Sequence, residues 1–320
     1  MAVRRHVRTS LSVRKLAVVY LLLLVELTLS TRASTTSRSS LLAPPISLKH
    51  GLNKFVSARW QKANELSELE QQVEDYNAEW IATSNGQAQS TRHRRLICLP
   101  LSDRFDPPMG SFSHKHVQTG DKMSLPANFW QAIQLNHAEV PWLFSVKRID
   151  GVTGERVEFS DDDIITPHKP LAQLDKVVGG PLDFRAPACY IFLPWWMMRA
   201  LGVKPRDIVE VELFETVPAG SLAKLRPHSS DFGKEIANPQ AVLETELRHY
   251  SSLTQGSTIA FDYNKKRYWF DVVELRSAPR GEKSSMVKVQ DCDIATDFLI
   301  ARDEIQNRRR RKQEREQDRE

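Results

Sequence analysis

Two stretches of the chain share one order of apolar and polar positions. In residues 189–214, alternating bulky residues end at Leu193-Pro194, a short helical pattern follows, and a second apolar run predicts a buried strand. Residues 122–149 repeat this order with KMSLP, a helical pattern and WLFSVKRI. The pattern therefore predicts two copies of a strand-helix-strand unit.

The two copies are expected to bury each other. When Pro126 is aligned with Pro194, Phe129 falls on Met197 and Trp130 falls on Met198, so the apolar positions agree. Each copy alone has an apolar face that only the other can cover. We therefore predict a pseudo-symmetric barrel, with chance agreement as the alternative because Leu-Pro is a common pair.

The first 64 residues have the composition of a targeting sequence. Five basic residues precede an apolar run at 16–25, which is shorter than the roughly 20 residues that cross a bilayer and is typical of a secretory signal. Ala33 before Ser34 offers a cleavage site. Residues 34–64 are rich in Ser and Thr and have no acid. We predict a signal peptide over 1–33 and a transit-peptide-like segment over 34–64; the alternatives are a signal anchor and a disordered basic linker.

The net charge of +5 comes from this leader. Residues 1–59 hold ten of the 45 Lys and Arg residues but one of the 40 Asp and Glu residues, so the remainder is mildly acidic. Nucleic-acid-binding proteins concentrate positive charge on the fold, so we expect no nucleic-acid partner. Cys98, Cys189 and Cys292 are odd in number and widely spaced, which gives no basis for a disulfide framework or a CxxC site.

Apolar residues at helical spacing follow the leader. An amphipathic helix is predicted over 59–82 by positions that lie three and four residues apart: Leu66, Leu69, Val73, Tyr76 and Trp80. Two heptads do not establish a coiled coil, so docking onto the body and onto a partner helix both remain open. Residues 65–110 are assigned to this helix and a linker, with linker composition over 83–95.

Residues 214–298 predict a smaller α/β subdomain. Asn238 before Pro239 is typical of a helix N-terminus. Alternating apolar residues on both sides of Asn264 predict a β-hairpin, and a strand follows at 286–289. Residues 214–237 and 150–187 are interpreted as loops. Residues 299–320, with four arginines at 308–311, predict a charged tail that is helical or disordered.

No motif predicts catalysis. The sequence lacks GxxxxGK[ST], HExxH and GxSxG. The successive residues Asp161, Asp162 and Asp163 do not have the ligand spacing of a calcium or magnesium site. We expect no catalytic residue, metal, cofactor or small-molecule substrate; a barrel enzyme, including one that cleaves itself at Gly-Ser, is the alternative.

Several motifs in order carry a resemblance to a known family. They are FSHKHVQTGDKMSLP at 112–126, PWLF at 141–144, GPLDF at 180–184, YIFLPWWMM at 190–198, SSDFGKEIANPQAVLETELRHYSSLTQGSTIAFDYNKKRYWFDVVE at 229–274 and QDCDIATDF at 290–298. The positions taken as family signatures are Leu193, Pro194, Met197, Met198, Asp231, Phe232, Asn238, Pro239, Asn264, Asp297 and Phe298. The body resembles the amino-terminal domain of ubiquitin fusion degradation protein 1, the substrate-recognition cofactor of the AAA ATPase called valosin-containing protein.

The resemblance implies a double-psi β-barrel over 111–213 and an α/β subdomain over 214–298. It implies a non-catalytic adaptor that binds ubiquitin or a ubiquitin-like modifier and, with nuclear protein localisation protein 4, delivers modified proteins to a AAA ATPase of the valosin-containing-protein type. Two features depart from the family. Residues 158–178 resemble an insertion, and the 22 residues after Phe298 lack the family's ATPase-binding box. Direct docking to the ATPase and the second cofactor therefore remain open.

Leader and body together predict an adaptor on the secretory route to a complex, apicoplast-like plastid. It would act in preprotein translocation between the outer membranes. The alternative is an ordinary adaptor of endoplasmic-reticulum-associated degradation, in the endoplasmic reticulum or cytoplasm. The sequence does not identify the ubiquitin-contact surface: exposed aromatic residues are the usual anchors, but Trp195, Trp196 and Trp269 fit core positions equally well.

Overall fold

The computed structural model describes residues 48–101, 117–157 and 170–317. Residues 48–60 contribute the first part of helix α1 (Leu48–Thr83), and residues 61–320 form a separate compact unit that contains everything else described below. The predicted signal peptide, residues 34–47 of the transit-like segment and the three successive aspartates lie outside the described residues. Within the described ranges, every helix is too short or too polar to cross a membrane.

Six strands close into a barrel in the order β1-β5-β2-β4-β3-β6. The strands are β1 (His93–Pro100), β2 (Lys122–Pro126), β3 (Phe144–Arg148), β4 (Lys176–Ala186), β5 (Tyr190–Leu193) and β6 (Ile208–Leu213). Three short helices accompany them: α2 (Gln87–Arg92), α3 (Asn128–Leu135) and α4 (Trp195–Leu201). The barrel interior is apolar and joins the core of the second subdomain.

The predicted repeat is confirmed by the strand pairing. Each half consists of three strands and a helix, namely β1-β2-α3-β3 and β4-β5-α4-β6. Exchanging the halves maps every pairing onto another of the same direction: β1 with β5 and β4 with β2 are parallel, while β1 with β6 and β4 with β3 are antiparallel. The barrel therefore has an approximate dyad and the double-psi topology that the resemblance implied.

Two of the six barrel strands were missed by the sequence analysis. β1 lies in the range assigned to a helix and linker, and β4 lies in the range assigned to a loop, so the proposed insertion overlaps β4 at 176–178. β4 contains Gly179-Gly180-Pro181, which is a turn signal. β1 begins with the charged run HRR, and its apolar residues LICL come after it. The tertiary structure requires the glycine: a Cβ at Gly179 would lie 2.3 Å from the Asp121 carbonyl oxygen and 2.6 Å from the Met197 Cε.

The second subdomain packs helices against a sheet. Its strands are β7 (Gly220–Pro227), β8 (Ser252–Thr254), β9 (Thr258–Tyr263), β10 (Lys266–Ser277), β11 (Glu282–Lys283), β12 (Met286–Lys288) and β13 (Ala295–Phe298). Its helices are α5 (Asp231–Glu235), α6 (Pro239–Leu247) and α7 (Arg302–Gln317). The main sheet has the order β11-β10-β7-β13 with β9 on β10, and β12 pairs with β8.

Two predictions from turn and helix-cap residues in this subdomain are confirmed, the helix start at Asn238 and the hairpin turn at Asn264. Asn238 accepts a hydrogen bond from the Ala241 N–H at 3.2 Å and begins α6. The β9–β10 hairpin turns at Asn264-Lys265, and both residues have positive φ, as two-residue hairpin turns require. The loop assigned to 214–237 was wrong, because this range contains β7 and α5. Phe232 attaches α5 to the sheet, because its ring centroid lies 4.6 Å from that of Phe270 on β10.

The part of helix α1 from Gln61 to Thr83 docks onto the barrel through the predicted stripe. Val73 is buried with Ile97, Cys189 and Ile208. The Asn77 side chain donates to the Arg95 carbonyl and accepts from its N–H, both at 2.9 Å. Arg95 lies on β1 beyond the end of β5, so Asn77 takes the place of a neighbouring strand. The structure thus decides between the two docking alternatives for this face.

The two subdomains meet at a buried carboxylate. Asp121, before β2, accepts hydrogen bonds from the Ser251 and Ser252 N–H groups at 2.8 and 2.9 Å. Beside it, the Trp196 ring lies 6.4 Å from the Tyr250 ring, and its indole N–H donates to the Gly120 carbonyl at 2.8 Å. Because a buried carboxylate must be hydrogen-bonded, this contact orients the second subdomain on the barrel.

Candidate functional site

Three large aromatic side chains reach the outside of the barrel at one place. Trp130 on α3 is 42% exposed, and its ring centroid lies 5.3 Å from that of Trp142 and 5.6 Å from that of Phe184. Trp142 precedes β3 and donates its indole N–H to the Ala138 carbonyl at 3.2 Å. We call Trp130, Trp142 and Phe184 the aromatic surface.

The aromatic surface is continuous with the barrel core. Phe184 lies on β4 with its ring centroid 6.3 Å from that of Phe144, and Phe144 stacks edge-on with Phe129 at 5.3 Å. Phe129 and Phe144 are fully buried. The three rings are therefore held in fixed orientations from below, which lowers the entropy lost when they bind a partner.

The barrel dyad shows why Trp130 is exposed. Its repeat equivalent, Met198 on α4, is fully buried, and α4 lies against β9 of the second subdomain. Helix α3 instead contacts α2 and the barrel strands β2, β4 and β6. The second subdomain thus covers one half of the barrel, while the equivalent position on the other half presents a tryptophan to solvent.

A shallow groove adjoins the aromatic surface at Trp142. The loop 136–143 forms one side, Phe214, Glu215 and Lys288 form the other, and the volume is about 310 Å³. Val140 in this loop is 69% exposed. The Lys176 ammonium lies 3.7 Å from the Phe214 ring centroid, and burial lowers the pKa of this lysine. The groove is lined by more polar than apolar surface and has charged groups at its rim.

An exposed tryptophan that is supported by two half-buried aromatic rings and lies beside a groove suits recognition of a protein surface. Tryptophan is enriched among the residues that dominate binding energy at protein interfaces. A contiguous exposed apolar patch on a monomer commonly marks such a site. Among the described residues, no three His, Cys, Asp or Glu side chains are grouped to hold a metal ion.

The family-signature positions of the barrel are structural. Leu193, Met197 and Met198 are fully buried. Pro194 is the residue before α4 and is buried. These residues build the repeat and offer no surface to a partner.

The signature positions of the second subdomain also stabilise the fold. Phe232 and Phe298 stack at 5.4 Å between ring centroids. Asp231 forms an ion pair with Lys266 at 3.1 Å. Asn238 and Pro239 begin α6, and Asn264 forms the hairpin turn; Asp297 is exposed on β13.

A buried carboxylate cluster superficially resembles a catalytic arrangement. Asp271 accepts from Thr258 Oγ1 at 2.9 Å, lies 2.7 Å from His228 Nε2 and pairs through its second oxygen with the Arg302 Nε at 3.0 Å. A hydrolase triad requires the nucleophile to contact the histidine. Here the hydroxyl contacts the carboxylate instead, so the cluster ties β9, β10 and the start of α7 together.

Comparison with known proteins identifies the family of this fold. The family model described as ubiquitin fusion degradation protein UFD1, N-terminal subdomain 1, matches residues 104–217, and the model for N-terminal subdomain 2 matches residues 219–301. The chain belongs to the ubiquitin fusion degradation protein 1 family. Helix α1 and strand β1 precede the residues that the two family models match.

Individual relatives agree with this assignment to the family. Ubiquitin fusion degradation protein 1 of Saccharomyces cerevisiae is 37% identical over 120 residues, which are 38% of this chain and 32% of the relative. The Dictyostelium discoideum homolog is 28% identical over 228 residues, 69% of this chain and 58% of the relative. The human protein named ubiquitin recognition factor in ER-associated degradation protein 1 is 36% identical over 119 residues, 37% of this chain and 36% of the relative. The chain thus spans less than two thirds of each relative's length.

The aromatic surface was not predicted from the sequence. The repeat alignment placed Trp130 on a core position, and Trp142 lay within an apolar strand pattern. The sequence left open whether Trp195, Trp196 and Trp269 are surface anchors or core residues. In the structure Trp196 and Trp269 are buried and Trp195 is half-buried. The only sequence signal was that Trp130 aligns with Met198 in the other repeat. This alignment does not reveal which of the two helices is covered by the second subdomain.

Proposed function

We propose that this protein is a non-catalytic adaptor that recognises ubiquitin or a ubiquitin-like modifier and that the aromatic surface makes the contact. The observation that carries the proposal is the exposed Trp130 with the half-buried Trp142 and Phe184 beside it, on the barrel of a family member. The name of the human relative, a ubiquitin recognition factor, supports the choice of modifier. The contact would be stabilised by burial of the Trp130 ring, because tryptophans at the centre of an interface are among the side chains that contribute most to affinity.

The proposal is tested by measuring the affinity of the full 320-residue chain for ubiquitin chains. Trp130→Ala should weaken binding by tenfold or more, because truncation of an anchoring tryptophan costs about 2 kcal/mol or more at an interface. Ile81→Ala is the matched control, since Ile81 is also an exposed large apolar residue, at 48%, but lies on α1. If the Trp130 variant bound ubiquitin chains as tightly as the wild type, the aromatic surface would not be the contact.

Absence of any binding by the wild-type chain would overturn ubiquitin recognition itself. A ubiquitin-like modifier is distinguished by repeating the titration with such a modifier in place of ubiquitin. Circular dichroism of each variant shows whether the barrel is intact, which separates a lost contact from a lost fold.

The cellular role we propose is presentation of tagged proteins to a AAA ATPase of the valosin-containing-protein type, for preprotein translocation into a complex plastid. The basic, acid-free composition of residues 34–64 after a secretory-type apolar run supports the plastid route. A partner of the nuclear protein localisation protein 4 type belongs to the same proposal and is tested by co-purification with the ATPase.

The second candidate role is an adaptor of degradation at the endoplasmic reticulum. The names of the human and mouse relatives, which refer to ER-associated degradation, favour it. A fluorescent reporter carrying residues 1–64 separates the two roles. Plastid fluorescence supports translocation, and reporter retained in the endoplasmic reticulum or cytoplasm supports degradation.

A further inference from the structure

Strand β13 forms one end of the main sheet of the second subdomain and leaves backbone groups open. It pairs in parallel with β7 alone, from Ala295 with Leu222 to Phe298 with Leu225. The Leu299 N–H donates to the Leu225 carbonyl at 2.9 Å. In a parallel ladder alternate residues face the same neighbour, so the N–H and C=O groups of Thr296 and Phe298 point away from β7. Within the described ranges no strand pairs with this edge.

A groove runs beside the start of this open edge. It has a volume of about 820 Å³ and lies between the last turn of α6 and the segment 289–296. Leu247, Val289 and Ile294 give it an apolar floor: Leu247 and Val289 are buried, and Ile294 packs against the core. A groove between a strand edge and a helix is the geometry in which an extended peptide adds to a sheet and places alternate side chains in pockets.

The rim of the groove is acidic. Glu244, Asp291 and Asp293 line it with Arg248 as the one cation, and Asp297 is exposed on β13. None of these five side chains forms an ion pair with another described residue. The charges therefore remain available to a ligand and would attract a basic one.

We propose that the β13 edge and this groove bind an extended, basic peptide segment of another protein as an additional strand. The open backbone groups of Thr296 and Phe298 would pair with the peptide backbone. One apolar side chain would enter the groove, and lysine or arginine side chains would contact Asp291, Asp293 and Glu244. The site lies in the second subdomain, whereas the aromatic surface lies on the barrel, so it does not depend on ubiquitin recognition.

The test titrates the full chain with a fluorescein-labelled peptide, Ser-Lys-Val-Arg-Val-Lys-Ser, and follows fluorescence anisotropy. Thr296→Pro should weaken binding at least tenfold, because proline removes the outward N–H. Proline is tolerated at a sheet edge where that N–H faces solvent. Thr296→Val is the matched control, since it keeps the backbone group, and should bind within about twofold of wild type.

Charge is tested separately with the peptide Ser-Glu-Val-Glu-Val-Glu-Ser and with Asp291→Asn combined with Asp293→Asn. The acidic peptide should not bind, and the double variant should bind the basic peptide several-fold more weakly with a smaller dependence on salt. Asparagine suits position 291, where φ is +58°. Equal binding of the acidic and basic peptides would overturn the charge selectivity.

Two further measurements use the wild-type protein and do not require the Thr296→Pro variant to fold. A peptide with N-methylated valines cannot pair with the edge and should not bind the wild-type protein. Cys292 lines the groove, so the bound basic peptide should slow its alkylation by iodoacetamide at least threefold. Unchanged alkylation at a saturating peptide concentration, or full binding of the N-methylated peptide, would overturn the proposal.

Discussion

Ser124 on β2 pairs with Phe192 on the neighbouring strand β5, and Phe192 is the residue at the same position of the other repeat. The two lie 68 positions apart, the same offset that aligns Pro126 with Pro194. On the opposite side Val146 pairs with Val211, and here the offset is 65 because the second connection is shorter. When a residue pairs with its own equivalent, the midpoint of that pair lies on the dyad, so the axis runs through both of these residue pairs.

The dyad makes a direct comparison of Trp130 and Met198 possible. Met198→Ala should lower the free energy of unfolding by about 2–5 kcal/mol, as truncation of a fully buried methionine does. Trp130→Ala should lower it by about 1 kcal/mol or less, because the side chain is 42% exposed. Urea titration of both variants measures the difference. Equal losses would show that Trp130 is a core residue rather than a surface for a partner.

The Asn77–Arg95 contact predicts how firmly α1 is held. Asn77→Ala leaves the Arg95 N–H and C=O without their side-chain partner, which should cost about 1–3 kcal/mol and increase hydrogen exchange in residues 61–83. Gln71→Ala is the control, because Gln71 lies on the same helix and bonds only to exposed Asp75. A docked helix in the Asn77 variant, with exchange as slow as in the control, would contradict this account.

The contact between α1 and β1 should depend on pH, because it includes the titratable side chain of His93. The imidazole Nε2 lies 3.3 Å from the Tyr76 hydroxyl, and its ring stacks 4.4 Å from that of Trp80. Burial lowers the pKa of His93; Glu210 opposes this shift, while Arg95, Arg94 and Lys147 reinforce it. The folded protein therefore favours the neutral ring, and its contribution to stability is present above the usual pKa of about 6.5.

As the pH falls below that value, the unfolded chain binds a proton that the folded protein resists, and stability is lost. The free energy of unfolding measured between pH 5 and 7.5 should decline toward acid in the wild type. His93→Gln should remove this part of the decline, because glutamine does not titrate. An identical pH profile for the two proteins would show that His93 does not couple protonation to folding.

The place of β1 in the barrel predicts which shortened chains fold. β1 pairs with both β5 and β6, so a chain that starts at Ser111 lacks the strand that closes the barrel and should not fold cooperatively. A chain that starts at Gln61 keeps α1 from that residue onward, together with β1, and should melt in one transition. Thermal unfolding followed by circular dichroism compares them. A cooperative transition in the shorter chain would mean that β1 is dispensable.

Local chemistry made part of the fold predictable. The Asn238-Pro239 helix start, the turn at Asn264 and the α1 stripe around Val73 depend on residues close in sequence, and all three are confirmed. The strands β1 and β4 were missed because their burial comes from pairing with β5 and β2, which the barrel brings alongside. The Gly-Gly-Pro of β4 masked its strand pattern, and the apolar run LICL of β1 stood in the range assigned to a helix and linker.

The sequence by itself determined the duplicated unit, the α/β subdomain and the family, because apolar periodicity, turn residues and motifs are local properties of the chain. Only the tertiary structure decided which copy is covered: helix α4, which carries the buried Met198, lies against the second subdomain, and the equivalent Trp130 on α3 stays exposed. It also decided that the β13 edge is open and borders an acidic groove. Exposure depends on which distant elements pack together, and two equivalent helices with similar apolar patterns carry no record of that choice.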